Sequence, residues 1–163
     1  ITGTLVLTSR AAATSAGVQV ANDDTWSDVF SRVLVERVEP HLGLGRPTIL
    51  DGYPRPEAAW AEAADDPRLA KRFELYACGV ELANGFAEIT DAGEQRRRFE
   101  QAMAERQRRY GERYPIDEDF LAALAAMPPA SGIALGFDRL VTLATGAARI
   151  EQVMWAPVDG GEC

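Results

Sequence analysis

Arg72-Phe-Glu-Leu-Tyr-Ala77 and Val80-Glu-Leu-Ala-Asn-Gly-Phe-Ala-Glu-Ile-Thr90 are two runs of aromatic and aliphatic residues interrupted by carboxylates and one amide, and Cys78-Gly79 joins them. Both runs alternate in polarity, and their junction has the length of a tight turn, which predicts a long β-hairpin. Glu74, Glu81 and Glu88 fall in strands that otherwise read as buried. Burying a carboxylate costs several kcal/mol unless a cation meets it. A buried face therefore calls for a metal, an arginine or an amine ligand. The other reading is a solvated outer face on which glutamates need no partner.

Strand geometry adds a constraint. A two-residue turn sets Ala77 opposite Val80 and Glu74 opposite Ala83. Glu81 then shares the face of Glu74, while Asn84, Phe86 and Glu88 take the opposite face. One site that uses all five needs a register break between Glu81 and Asn84, or a strongly twisted sheet. Gly85 is a natural enabler of a bulge. An irregularity is therefore expected between residues 81 and 88.

Outward from the hairpin, breakers mark the other elements. Residues 1–22 read as a short strand or helix fragment and a loop. Asp23 and Asp24 are expected to cap a helix from Thr25 to Val38, ended by Pro40, Gly43, Gly45 and Pro47. Pro47-Thr-Ile-Leu-Asp-Gly-Tyr-Pro54 holds a short strand, and Pro56 to Arg68 reads as part helix, part loop. Asp91 is placed to cap a charged helix over Ala92–Tyr110, and Asp117 one that ends near Ala126. Ser131 to Phe137 reads as a buried strand, and Asp138 starts a helix closed by Gly146. Ile150 to Trp155 is a strand or turn, and 158–163 a tail.

Gly132-Ile-Ala-Leu-Gly136-Phe-Asp138-Arg139 passes from strand to helix at once. A helix N-terminus offers unpaired N–H groups and partial positive charge, and an arginine in its first turn adds a planar fork. That suits a phosphate; alternatively Asp138 caps the helix and Arg139 pairs with a carboxylate. Arg96, Arg97, Arg98, Arg106, Arg108 and Arg109 share their helix with Glu94, Glu100 and Glu105, which reads as a solvated face with i,i+4 pairs. Binding of RNA or an acidic partner is the competing view. His41 sits in a Pro/Gly-rich loop and receives no catalytic role.

The chain has 163 residues, 47% hydrophobic and 26% charged, so it is globular and long enough for a core of its own. A formal net charge of −8 makes it a poor general binder of phosphate backbones. No apolar run approaches the ~18 residues of a membrane-spanning helix. Two cysteines, Cys78 and Cys163, make neither a disulfide framework nor a zinc site. Free thiols without a signal peptide point to the cytoplasm, but the chain opens at Ile1 without Met and reads as a piece of something longer.

Taken in order, Arg72-Phe-Glu-Leu-Tyr, Gly79 to Asp91, Gln95-x3-Phe99 and Gly132 to Arg139 resemble the C-terminal catalytic half of class II lysyl-tRNA synthetases. The last block is similar to class II motif 3, and the likeness runs from about Asp24 to Pro157. It is greatest to the paralogues that modify elongation factor P, because Val80, Thr90 and Ala134 replace the Arg or Lys, Asn and Gly usual in lysyl-tRNA synthetases. An extra methyl at Ala134 would reshape the pocket against α-lysine, and those paralogues are associated with (R)-β-lysine.

The resemblance implies an α+β fold, a mainly antiparallel sheet flanked by helices that forms part of a catalytic core. The whole chain, 1–163, is expected to be one such domain, with 1–23 a poorly defined leader. It implies Mg²⁺ at Glu74 and Glu81, bridging the ATP phosphates. It implies a lysine pocket of Asn84, Phe86, Glu88 and Ala134, with Glu88 meeting an ammonium group. It implies that Arg139 clamps the ATP γ-phosphate as the catalytic arginine, with Asp138 beside it and Gly136 leaving room for adenine and ribose.

The implied activity is formation of lysyl- or β-lysyl-adenylate and transfer to a lysine of elongation factor P. The alternatives are transfer to tRNA(Lys), or a non-catalytic paralogue or fragment that binds ATP or a partner. The family's motifs 1 and 2 are not found in the chain. Motif 2 holds the α-phosphate in that family, so the chain alone is expected not to activate an amino acid efficiently. The intact parent is expected to form a homodimer.

Overall fold

The computed structural model describes residues 10–156, so the readings of 1–9, of the 158–163 tail and of Cys163 lie outside it. Its elements are helix α1 (Arg10–Ser15), helix α2 (Trp26–Val33), strands β1 (Thr48–Asp51), β2 (Arg72–Ala77) and β3 (Val80–Ala87), helices α3 (Ala92–Tyr110) and α4 (Glu118–Ala126), strand β4 (Ser131–Leu135) and helix α5 (Phe137–Thr145). The strands form one sheet in the order β1-β2-β3-β4. This is the predicted α+β architecture. The chain divides into two compact units, one comprising residues up to Ile49, Leu75–Leu82 and the segment from Gly136, the other Leu50–Glu74 and Ala83–Leu135. Among the described residues no helix is long and apolar enough to cross a membrane.

In the first unit, Ala13 and Val18 pack against Val29 and Val33 of α2. The cap of α2 is Thr25, not Asp23 or Asp24. Thr25 Oγ1 accepts from the Asp28 amide at 3.3 Å, and Asp28 Oδ2 accepts from the Thr25 amide at 2.7 Å, a reciprocal capping box. Asp24 instead accepts from the Ala21 amide and from Arg32. The helical run continues to Val38 as expected, but its last turn, Leu34–Val38, is π-helical, followed by a 3₁₀ turn at Glu39–His41. Pro40, which has no amide hydrogen to donate, lies in that turn.

Cys78 and Gly79 both take positive φ, 55° and 76°, the requirement of a type I′ hairpin turn. The Gly43 carbonyl accepts from the Cys78 amide at 2.8 Å. This close approach needs glycine: a Cβ on Gly43 would sit 2.7 Å from backbone atoms of Tyr76 and Ala77, and its φ is +72°.

In the second unit, β3 and β4 pair antiparallel without interruption, Ala83 opposite Leu135, Asn84 opposite Ala134, Gly85 opposite Ile133 and Phe86 opposite Gly132. The expected irregularity is absent from this ladder. It lies on the β2 side. The Lys71 carbonyl accepts from the Ala87 amide at 2.9 Å, and the Phe73 ring covers Gly85. Counting from the two-residue turn would put Arg72, not Phe73, opposite Gly85. One extra residue is therefore taken up in β3 before Asn84, which turns Asn84 onto the face of Glu74. β3 ends at Ala87, short of the predicted Thr90, because Glu88 and Ile89 pair with Ala61 and Trp60 instead.

The Pro56–Arg68 segment is helical only in a 3₁₀ turn, Arg55–Glu57; the rest is a loop stitched by single bridges at Pro54–Leu69, Ala61–Glu88 and Ala63–Ala70. Ala58, Ala61 and Ala70 form its small-residue core, with Phe86 packed on it. α3 and α4 begin at their expected caps, Asp91 and Asp117. Trp60, Phe99 and Phe120 pack ring against ring at 5.3–6.0 Å. β4 is not buried as predicted: Ile133 is 60% and Leu135 50% exposed, so the face they share is left uncovered by the described residues. Ile150–Gln152 is a 3₁₀ turn.

The arginines of α3 pair with acids rather than forming a free basic patch. Arg97 and Arg98 bind Glu94, Arg108 and Arg109 bind Glu105, Arg96 binds Glu118 and Arg106 binds Glu112. Hydrogen bonds from Arg97, Arg55 and Arg98 lower the Glu94 carboxyl from 4.5 to about 2. A carboxyl lowered in the folded state contributes stability above its unfolded value and loses it as pH falls toward the folded one. Glu94→Gln should therefore lower the urea midpoint at pH 7, with the gap to the parent closing between about pH 4.5 and pH 2. A gap independent of pH would sever Glu94 from acid stability.

Glycine substitution offers a second test. Gly43→Ala meets backbone at 2.7 Å, whereas Gly45, with φ +74°, has nothing within 4 Å. Gly45→Ala should cost about 1–2 kcal/mol for backbone conformation alone, and Gly43→Ala clearly more, read as the difference between their thermal midpoints.

Candidate active site

Glu74 is the buried acid of the second unit, its side chain 7% exposed. Three groups satisfy it. The Tyr53 hydroxyl donates to Oε2, Arg72 Nη2 donates to Oε1 at 2.5 Å, and Asn84 Nδ2 lies 3.4 Å from Oε1. Of the cations the sequence called for, Arg72 is an arginine supplied by the protein among the described residues. β alternation puts Arg72 and Glu74 on one face, so the ion pair is local in sequence. Arg72 does more than neutralise. Its Nε donates to Asn84 Oδ1 at 3.3 Å, its Nη1 donates to the Glu57 carbonyl, and its guanidinium lies 4.3 Å from the Tyr53 ring centroid. Asn84 is thereby held at both ends of its amide.

The β3–β4 ladder builds the adjoining surface. Asn84 faces Ala134 and Phe86 faces Gly132. Glu88 follows on the same side, and its Oε1 lies where a Cβ on Gly132 would come within 2.3 Å. Gly132 thus leaves the space that the Glu88 carboxylate occupies. Of the four residues expected to line an amino-acid pocket, Asn84, Phe86 and Ala134 lie on the β3–β4 pair, and Glu88 follows one residue past β3. A cavity of about 330 Å³ opens beside Asn84 and Phe86, lined also by the Pro56–Ala61 loop and Arg72; Glu88 and Ala134 do not line it. Sequence reasoning missed Arg72, Tyr53, Glu57 and Gly132. Arg72 was detectable from its i,i+2 spacing to Glu74; Tyr53 and Glu57 reach the site only through the loop fold.

In the first unit, Arg139 Nη1 donates to the Glu81 carbonyl at 2.9 Å and to Glu81 Oε2 at 3.2 Å. Its side chain remains 49% exposed. The helix starts one residue earlier than expected, at Phe137. Gly136 is the N-cap, and Asp138 does not cap. The first intrahelical bond runs from the Leu140 amide to the Gly136 carbonyl, so the preceding amides are those a helix leaves open to an anion. Gly136 donates to the Leu82 carbonyl at 2.8 Å, and a Cβ there would press on Arg139 Cδ at 3.2 Å.

Among the described residues no three His, Cys, Asp or Glu side chains converge as a protein-built metal cage. Mg²⁺ needs no such cage, because it binds through one or two carboxylates, water and substrate phosphates. Glu81 is 35% exposed at its side chain, and its Oε2 is already met by Arg139 at 3.2 Å. The Glu74 carboxylate is already engaged by Tyr53, Arg72 and Asn84, so its share in a metal site requires giving up one of those bonds.

The Arg72–Glu74 pair makes a stability prediction. Arg72→Met strands a buried charge and should cost about 3–5 kcal/mol. Adding Glu74→Gln should recover part of that loss in a double-mutant cycle by chemical denaturation. Strict additivity would show that the pair does not carry the stabilisation.

Comparison with known proteins places this geometry in a family. The model of class II tRNA synthetases (D, K and N) matches residues 47–159. The chain is 49% identical over 142 residues to the elongation factor P--(R)-beta-lysine ligase of Proteus mirabilis, which covers 85% of this chain and 44% of that protein. It is 51% identical over 124 residues to the ligase of the same name from Klebsiella pneumoniae subsp. pneumoniae, covering 75% and 38%. It is 50% identical over 143 residues to that of Edwardsiella ictaluri, covering 86% and 44%. The chain therefore spans less than half the length of these relatives. With two thirds of its residues under the family model and the motif 3 strand paired to the carboxylate-bearing hairpin, the chain belongs to the class II tRNA synthetases of the D, K and N type.

Proposed function

We propose that this chain is part of the catalytic core of an enzyme that activates (R)-β-lysine, or lysine, with ATP and transfers the acyl group to a lysine of elongation factor P. The observation that carries the reading is the shared face of Asn84, Phe86 and Glu88, with Ala134 opposite Asn84 and Gly132 opposite Phe86. A phenyl ring suits an aliphatic chain, a carboxylate suits an ammonium group, and an amide held by Arg72 offers its N–H₂ to an acceptor oxygen. Relatives about half identical to the chain are elongation factor P--(R)-beta-lysine ligases, which supports the same substrate and acceptor. The net charge of −8 favours a protein acceptor over tRNA.

In the proposed reaction the amino-acid carboxylate attacks the α-phosphorus of ATP and pyrophosphate leaves. The acceptor amine then attacks the acyl carbon and AMP leaves. Arg139, in the first turn of α5, is assigned to the γ-phosphate, with Asp138 beside it and Gly136 providing clearance for the nucleotide. Glu81 in the first unit and Glu74 in the second are each assigned to Mg²⁺, which when bound would neutralise phosphate charge. Glu88 orients the ammonium, and Phe86 shields the chain from water. Ala134 narrows the pocket by one methyl beside Asn84.

The reading is tested on the full-length protein by pyrophosphate exchange. (R)-β-lysine should support faster exchange than lysine, and Ala134→Gly should shift the preference toward lysine by about tenfold, the scale of one methyl group in a pocket. Exchange that responds to lysine alone would exclude the elongation factor P reading. Arg139→Ala should reduce exchange at least ~100-fold without changing the thermal midpoint. Unaltered exchange would remove Arg139 from the site.

A further inference from the structure

Arg98 stands apart from the other arginines of α3. Its side chain is 12% exposed, against 33–63% for Arg96, Arg97, Arg106, Arg108 and Arg109, so it does not belong to the solvated face expected of that helix. Its Nε donates to Glu94 Oε1 at 3.0 Å, which fixes the guanidinium. Its Nη1 donates to the carbonyls of Ala58, Ala59 and Ala61 at 3.1, 3.2 and 2.9 Å. The Trp60 carbonyl accepts from the Ile89 amide at 3.1 Å, and the Glu57 carbonyl from Arg72 Nη1. Every carbonyl from Glu57 to Ala61 thus has a donor, and the two arginines serve four of the five. Three of these residues are alanine, with one methyl group each to pack, and Trp60 adds a ring contact to Phe99. The path of the loop therefore depends on the bonds to its backbone.

The same loop lines the cavity together with Arg72, Asn84 and Phe86, whereas Arg98 does not line it. Arg98 therefore reaches the cavity only through the loop. Ala58 and Ala61 are buried in one cluster with Phe86 packed against it, so a loop released from Arg98 would shift the wall beside that ring. Loss of the guanidinium leaves three carbonyls short of a donor, and an ammonium in its place lacks the planar fork that spans Glu94 and the loop. We infer that Arg98 is a positioning residue that fixes the 57–61 loop beside Phe86 and so sets the shape of the amino-acid side of the site. This role rests on the amino-acid pocket proposed above and deepens it, by adding a residue of α3 that acts on the pocket from outside. Gly136, Asp138 and Arg139, assigned to the nucleotide, belong to the other unit. The effect of Arg98 should accordingly fall on the amino acid and not on ATP.

Pyrophosphate exchange by the full-length protein tests this through two constants: the KM for ATP, and the KM for (R)-β-lysine or lysine, whichever supports faster exchange. Arg98→Met should raise the amino-acid KM about tenfold or more, the scale on which a displaced positioning group acts, and leave the ATP KM within about twofold. Arg98→Lys keeps the charge but not the fork. It should recover part of that loss while staying at least about threefold above the parent, and it carries the test should Arg98→Met not fold. A purely structural role would lower the thermal midpoint and the yield of active enzyme with both KM values unchanged. An unchanged amino-acid KM, or an equal rise in both KM values, in whichever variant folds overturns the assignment of Arg98 while the pocket stands. Absence of exchange in the parent with either amino acid overturns the pocket reading and this role with it.

Discussion

Glu74 is a carboxylate with a 7% exposed side chain in the middle of a sheet, and its neighbourhood is organised by the need to keep it charged there. Removing such an ion from water costs several kcal/mol, which only good geometry repays. Arg72 supplies the countercharge, Tyr53 a hydroxyl and Asn84 an amide. Each of these groups is then fixed in turn. Arg72 locks Asn84 and the Glu57 carbonyl, and its stacking holds Tyr53 at the end of the loop that follows β1. A buried charge thus becomes the anchor of a preorganised surface.

The register of the hairpin follows from the same requirement. A regular two-residue hairpin would direct Asn84, Phe86 and Glu88 away from Glu74. The extra residue taken up in β3 reverses that, and it does so without disturbing the ladder to β4. Bulges locally cost pairing energy, and they persist where a side chain must be re-aimed. Here the side chains re-aimed are those proposed for the amino acid, and Gly132 on the facing strand leaves the space that the Glu88 carboxylate occupies.

Much of this was legible in the chain. The hairpin, both acidic helix caps at Asp91 and Asp117 and the strand-to-helix passage at Gly136 follow from local rules of alternation, capping and breakers, which act within a few residues. The cap of α2 was misread because Asp23, Asp24 and Thr25 are all competent caps, and the choice fell to Thr25 through its reciprocal bond with Asp28. β4 reads as buried because its residues are apolar, yet burial depends on what covers a strand, and the described residues leave the face of Ile133 and Leu135 uncovered.

The sequence by itself determined the family, the order of elements and the identity of the acids and arginines, because these depend on residue type and short-range spacing. The tertiary structure decided which acids are met and by what. Arg72 could be paired with Glu74 from alternation, but the Tyr53 hydroxyl comes from 21 positions away and the Glu57 carbonyl from 15. The Pro56–Ala61 loop has no periodicity to predict its path. Arginine bonds to its carbonyls and a single bridge from Ala61 to Glu88 hold it in place. Whether a carboxylate is satisfied is a property of the space around it, and only the folded chain creates that space.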